Sequence, residues 1–265
     1  MPTSNKDIDK YLKFALHLTD ISEKIIKKHF RKNNLIELKE DASPVTEIDR
    51  EVEGSLIQAI LKKFPHHGIM SEEFGEENKN AEIKWIIDPI DGTKSFIQGK
   101  PIFTTLIGLM INSEVVIGII NQPITKERFV GVTKKGASLN KRPIFASDCR
   151  SLNQARFATT SPYLFEDKVV GKIKKLSEQA KVTSYGGDAY NYAMLASGFI
   201  DLVIESGLKT YDILPIIPII NEAGGIIMDF KGNLLKNKVL QQKSYDVIVA
   251  SNEVLAKEAV AWLKK

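Results

Sequence analysis

From about Arg150 to the C-terminus, β-type runs and helical runs take turns, and few architectures accommodate that pattern. "RFATT" precedes a helical stretch near Glu166–Ala180, "KVTSY" a helix over Asp188–Ser197, and "IDLVIES" a helix over Asp212–Ala223. "GIIMDF" and "DVIVAS" then lead into a closing helix over Glu253–Lys264. Such alternation specifies sheets covered by helices. The first half is mixed. Ile8, Leu12, Ala15, Leu18, Ile21 and Ile25 mark an amphipathic helix from Lys6 to about Phe30, and Ile48, Val52, Leu56 and Ile60 mark a second over Thr46–Phe64, stopped by Pro65. Between them, Ser43-Pro44 reads as a turn and Thr46 as a helix start. "KWIID" is a short buried strand, "FTTLIGLMI" and "VVIGIINQP" form a hairpin about Asn112-Ser113-Glu114, and "RFVGVT" runs to a turn at Lys135-Gly136. The expected fold class is α/β in one domain over 1–265, with an α+β half over about 1–150 and a βα-alternating half over about 151–265. No internal repeat or flexible linker interrupts it.

Composition narrows the function classes. Of 265 residues, 37 are basic and 33 acidic, a net charge of +4. The lysines are scattered without clustered aromatics, so neither nucleic acid nor a membrane surface is the expected partner. One cysteine, Cys149, excludes an internal disulfide and reads as a small apolar filler. The N-terminal "MPTSNKDIDKYLKFALHL" lacks the apolar core of a signal peptide, and no stretch has the length of a membrane span. The expected location is the cytoplasm.

The chemistry concentrates in "WIIDPIDGTKSF". Asp88 ends an apolar strand, where open α/β sheets place ligands, and Pro89 should stop the pairing and turn the chain. The turn can bring Asp91 beside Asp88, with Gly92 allowing close backbone approach and Thr93 supplying a hydroxyl. Two carboxylates so close repel each other unless a cation lies between them, and oxygen ligands select magnesium, calcium or manganese. Turn capping by the same two acids is the competing reading. "IMSEEFGEE" sets Glu72 and Glu73 after another short apolar run, and Asp212 opens an apolar helix, as a cap or as a fourth acid of one site. Pro215 is tolerable in that helix's first turn, Pro218 should bend it, and Gly224-Gly225 ends it.

"KEDASPVTEIDR", "SEEFG", "WIIDPIDGTKSF" and "YDILPIIPIINEAGG", in this order from about Lys39 to Asp229, resemble the inositol monophosphatase-like family of magnesium-dependent, lithium-sensitive phosphatases. The resemblance implies a layered αβαβα sugar-phosphatase-type fold. It implies metal ligation by Glu72, Asp88, the Ile90 carbonyl, Asp91 and Asp212, with two or three Mg2+ per site and Mn2+ as a substitute. Asp49 and Thr93, with Glu72, would handle the attacking water. Lys39 and Glu73 match positions near the site, Glu73 equally suiting a solvated surface acid. A homodimer is also implied.

"YGGDAYNY" and "GLKTYD" are similar to the histidinol-phosphatase branch of that family, in which an acid stands where inositol-directed members carry a small residue. The substrate contacts so implied are Asp91, Gly92, Thr93, Gly186, Gly187, Asp188, Glu205 and Asp212. Asp188 and Glu205 suit a cationic alcohol better than a neutral ring. L-Histidinol phosphate, and hence histidine biosynthesis, is therefore expected ahead of inositol 1-phosphate or another small phosphate ester. Pro215 and "NEAGG" depart from the branch pattern. Asp188 also suits a helix N-cap. A catalytically inactive protein that binds a phosphorylated ligand stays open on the same scaffold. His66-His67 lack a third imidazole or cysteine for zinc, and Tyr185, Tyr190 and Tyr192 read as core.

Overall fold

The computed structural model of the chain describes residues 5–33, 35–39, 44–235 and 244–264. Ser43, half of the expected turn at Ser43-Pro44, lies outside the described residues. Helix α1 (Asn5–His29) is followed by β1 (Ile36–Leu38) and β2 (Pro44–Thr46), an antiparallel pair, and then by α2 (Glu47–Lys63). Next come β3 (Gly68–Ser71), β4 (Gly75–Glu77), β5 (Ile83–Asp91), the short α3 (Thr93–Ile97), β6 (Thr104–Ile111), β7 (Glu114–Gln122), β8 (Glu127–Val132), β9 (Gly136–Leu139) and β10 (Arg142–Pro143). These strands form one eight-stranded sheet in the order β10-β9-β8-β7-β6-β5-β3-β4. The β6–β7 hairpin turns at Asn112 and Ser113, both at positive φ (49° and 65°), the two-residue geometry that matches strand twist.

The remainder is β11 (Arg156–Thr159), α4 (Asp167–Gln179), β12 (Val182–Tyr185), α5 (Ala189–Ala196), β13 (Leu202–Leu208), α6 (Thr210–Ile213), α7 (Ile216–Glu222), β14 (Ile226–Asp229), β15 (Tyr245–Ala250) and α8 (Glu253–Lys264). Its five strands pair in the order β12-β11-β13-β15-β14. Three apolar clusters hold five layers together. Leu18, Leu56 and Ile60 of α1 and α2 pack on Trp85, Ile87 and Leu109 of the large sheet. Ala193, Ile217 and Ile220 of α5 and α7 fill the space between Ile86, Leu106 and Ile120 on one side and Val203 and Val249 on the other. Ile173, Leu176, Leu255 and Ala259 of α4 and α8 cover the outer face of the small sheet. The order is αβαβα, as expected. Among the described residues, no helix is long and apolar enough to cross a membrane.

The single helix expected over Asp212–Ala223 is two helices, α6 and α7, broken at Leu214-Pro215. Pro215 stands just before α7 at φ −65°, and Pro218 falls in α7's first turn, where its missing N–H has no intrahelical acceptor to forgo. The break therefore lies at Pro215, not at Pro218.

A row of glycines receives this broken segment. Gly108, Gly118 and Gly131 are direct cross-strand neighbours on β6, β7 and β8. A Cβ on Gly118 would lie 1.9 Å from the Pro215 carbonyl oxygen, and one on Gly131 would lie 2.4 Å from the Ile219 nitrogen. The helix backbone thus rests directly on the sheet backbone, and that contact fixes the height of α6 above β5. Gly118→Ala is expected to destabilise the protein by about 3 kcal/mol, the upper end for inserting a methyl into a packed interior. Urea unfolding of the variant measures it, and a midpoint unchanged from the parent would contradict this contact.

Candidate active site

In a regular strand, residues two apart share a face, so acids three apart should face opposite ways. Strand β5 departs from regularity at Pro89. Asp88 pairs with Leu106 and Asp91 with Thr104, so three steps along β5 match two along β6. The proline therefore does not end the pairing, as its missing N–H suggested, but sits in a bulge where that N–H is not needed. Ile87 and Ile90 both point to the α1–α2 layer. Asp88 and Asp91 consequently share the opposite face, beneath α6.

Asp212 of α6 completes a set with them: each of the three carboxylates has an oxygen within 4.8 Å of the other two. Asp88 is buried, its Oδ1 has no hydrogen-bond partner among the described residues, and Asp91 and Asp212 are half-buried. Burial, then the charges of Glu72, Asp91 and Asp212, hold the Asp88 carboxyl well above the ordinary carboxylate range. Asp91 is held up in the same way by burial, Asp188 and Asp212. Asp212 is pushed up to about 7 by burial, against the hydrogen bond its Oδ2 accepts from Lys209 N at 2.8 Å. That bond makes it a cap of α6 as well as a member of the cluster. An orphaned buried oxygen among mutually repelling carboxylates fits a hard divalent cation, which supplies the missing charge in an all-oxygen site.

Asp49 and Thr93 meet beside this cluster. The Thr93 hydroxyl is 3.3 Å from Asp49 Oδ1 and 3.0 Å from the Ile90 carbonyl oxygen. Asp49 is fixed by local chemistry: Thr46 caps α2 by accepting from Ile48 N, while Asp49 Oδ2 accepts from Thr46 N at 2.8 Å and Thr46 Oγ1 at 2.5 Å. Burial lifts Asp49 to about 6, partly offset by these Thr46 bonds. The Glu72 carboxyl adds its charge to those that raise Asp88, while its Oε1 accepts from Lys39 Nζ at 2.8 Å. Glu73 takes the same ammonium at 2.5 Å, and its side chain is only 8% exposed. It is not the solvated surface acid that sequence alone allowed.

A second acidic pair lies next door. Gly186 and Gly187, at φ 86° and 114°, turn the chain from β12 into α5, and Asp188 follows at φ 44° and ψ −135°. That backbone conformation suits glycine, and its adoption by an acid marks a position held for its side chain. Asp188 occupies the N-cap position of α5 but makes no capping bond; Asp91 Oδ2 instead accepts from Ala189 N at 2.6 Å. The helix is capped from the large sheet, which ties the two sheets together at the site. The Asp188 carboxylate lies over Gly92, where a Cβ would come within 2.8 Å of its Oδ2, so only glycine leaves room for it. Burial lifts Asp188 to about 6, with Lys94 opposing. Glu205 of β13 is buried and lifted by that burial to about 8. Its Oε1 accepts from Thr160 N at 2.7 Å, and its Oε2 has no partner among the described residues. Thr160 Oγ1 also accepts from Asp188 N, at 3.1 Å, so one threonine positions both acids.

The remaining candidates lie elsewhere or only border the site. His67 stacks on Phe64 and accepts a hydrogen bond from Trp85 Nε1, and burial lowers its pKa to about 4. Tyr185 is exposed, and Tyr190 donates to Glu127 at 2.7 Å. Tyr192 is core as expected, although its hydroxyl has no partner among the described residues and feels the charges of Glu205 and Asp91. Sequence reasoning misses Thr160 and Glu53. Glu53 had a legible signal, being an acid on the apolar stripe of α2 between Val52 and Leu56.

Comparison with known proteins gives one consistent relationship. Residues 7–264 match the family model described as the inositol monophosphatase family. A chloroplastic bifunctional phosphatase of Arabidopsis thaliana is 42% identical over 96% of this chain and 72% of its own length. A histidinol-phosphatase of Chlorobaculum parvum is 30% identical, covering 94% of this chain and 95% of its own. The solved structure of an inositol monophosphatase from Zymomonas mobilis superposes with a TM-score of 0.86 at 38% identity, over 99% of this chain and all of that one.

Proposed function

The chain belongs to the inositol monophosphatase family of phosphatases, and on that premise we propose that it is a magnesium-dependent phosphate monoester hydrolase acting on L-histidinol phosphate. The observation that carries the substrate assignment is the acidic pair beside the metal-type cluster. Glu205 Oε2 is a buried acceptor lacking a donor among the described residues, and Asp188 is held in a strained backbone over Gly92. A neutral polyol offers hydroxyl donors there, whereas an ammonium or imidazolium offers donors and the compensating charge. The histidinol-phosphatase relative, similar over nearly its whole length, supports the same reading.

Glu72, Asp88, the Ile90 carbonyl, Asp91 and Asp212 would hold two or more magnesium ions, with manganese able to replace them. Bound there, the ions supply charge neutralisation for the phosphoryl oxygens and acidify water. The chain's own groups do the rest. Thr93 is hydrogen-bonded to Asp49 and would orient a water molecule toward phosphorus. Asp49, with its pKa near 6, is suited to take up a proton near neutrality. Asp188 and Glu205 would hold the cationic end of the alcohol, so the ester oxygen faces the metal cluster.

The inositol monophosphatase neighbour favours a second substrate, an inositol monophosphate, in the same site. Asp188→Ala separates the two. The variant is expected to lose about 10- to 100-fold in kcat/KM for L-histidinol phosphate, the worth of one charge-assisted hydrogen bond, with myo-inositol 1-phosphate little affected. Equal losses on both substrates would remove Asp188 from substrate selection.

A further inference from the structure

Glu53 has no part in the chemistry described so far, yet it is wholly buried on α2, one helical turn after Asp49. A buried carboxylate demands compensation. Glu53 obtains it from the backbone of the turn between β3 and β4, the turn that carries Glu72. Its Oε1 accepts from Phe74 N at 2.8 Å and Glu73 N at 3.1 Å, and its Oε2 accepts from Glu73 N at 3.0 Å. Ser71 at the start of the turn donates its hydroxyl across it to the Gly75 carbonyl at 3.1 Å.

Phe74 is 56% exposed, and Glu72 and Glu73 reach across to Lys39 through their side chains. The Lys39 contacts steer the ends of those side chains, whereas Glu53 holds the main chain from which they spring. A single helix therefore presents two acids in register: Asp49, which meets Thr93, and Glu53, which grips the turn of Glu72.

We infer that Glu53 is a positioning residue that clamps the Glu72 turn to the helix of Asp49, so that Glu72 meets the metal cluster at a fixed distance from the Asp49–Thr93 pair. Acceptance of two backbone N–H groups performs this task, and charge as such does not. Glutamine, whose Oε1 can take both bonds, should therefore substitute, whereas methionine, of similar length with no strong acceptor, should not. This role rests on the assignment of Glu72 to the metal site.

The test is Mn2+ binding to the full chain, followed by electron paramagnetic resonance, for the parent protein, Glu53→Gln, Glu53→Met and Glu72→Gln. Glu53→Met and Glu72→Gln are expected to weaken binding about tenfold or more, as removal of a supporting partner or a ligand does. Glu53→Gln is expected to stay near the parent value. Parent-like affinity in folded Glu53→Met would overturn the clamp, and equal weakening in Glu53→Gln and Glu53→Met would overturn its hydrogen-bond basis. Unchanged affinity in Glu72→Gln would instead overturn the metal assignment of Glu72 on which the clamp depends. Should Glu53→Met not fold, amide exchange in the metal-free parent decides. Slow exchange at Glu73 and Phe74 supports the clamp, and exchange at open-loop rates overturns it.

Discussion

Asp88→Asn is expected to lower phosphate release by at least about a thousandfold while leaving the chain folded, because it removes one negative charge from the centre of the site without changing its shape. Asp88 is buried, one of its oxygens has no partner among the described residues, and Glu72, Asp91 and Asp212 all crowd it. A cation needs that charge, but the metal-free protein is better without it. An asparagine amide can donate to the surrounding carboxylates instead of repelling them. The variant should therefore be more stable than the parent in EDTA, on the order of 1–2 kcal/mol, and should gain less from magnesium. Thermal unfolding with and without Mg2+ measures both. A less stable metal-free variant, or one that keeps its activity, would contradict the cation-holding role.

The second large effect is a pH dependence that runs opposite to ordinary acid unfolding. Ordinary salt-bridged carboxylates have lowered pKa values and lose stability as pH falls. Those of the site are raised: Asp49 and Asp188 to about 6, Asp212 to about 7 and Glu205 to about 8, in each case chiefly by burial. Unfolded carboxyls titrate near 4, so between about pH 4 and 8 the folded chain binds more protons than the unfolded one. Its stability must then fall as pH rises through that window. A tenfold gain in one carboxyl's proton affinity on folding corresponds to about 1.4 kcal/mol. Because the groups share protons, the combined loss is well below the simple sum, on the order of 3–5 kcal/mol. Divalent cations should flatten the slope by stabilising the ionised form. In EDTA the thermal midpoint should drop from pH 6 to pH 8, and with saturating Mg2+ it should not. A midpoint that rises over the same interval in EDTA would show that the acids are not under strain.

Much of this site was legible before the fold was known, because its ingredients are local. The acids of "DPIDGT", the helix start at Thr46 and the glycine pair before Asp188 each announce themselves within a few residues. What stayed hidden depends on partners distant in sequence. That Asp88 and Asp91 share a face follows from the register of β5 against β6, and a lone strand gives no sign of the bulge. The cap of α5 comes from Asp91, 98 residues before Ala189. Glu73 reads as a surface acid until Lys39, 34 residues away, is brought against it. The mid-strand glycines of "LIGLMI", "VVIGII" and "FVGV" did carry a signal for close backbone approach. Only pairing turns them into a row, and that row gives the segment broken at Pro215 its seat on the sheet.

The decisive experiment is phosphate release by the purified protein with Mg2+, from L-histidinol phosphate and myo-inositol 1-phosphate in parallel, against an EDTA blank. Magnesium-dependent release is expected from both or from histidinol phosphate alone, with kcat/KM higher for histidinol phosphate by at least about tenfold, the worth of the Asp188 and Glu205 contacts. Preference for the inositol ester would contradict the substrate assignment and leave the metal cluster standing. Silence on both esters, with Mg2+ still binding, would contradict both substrate assignments.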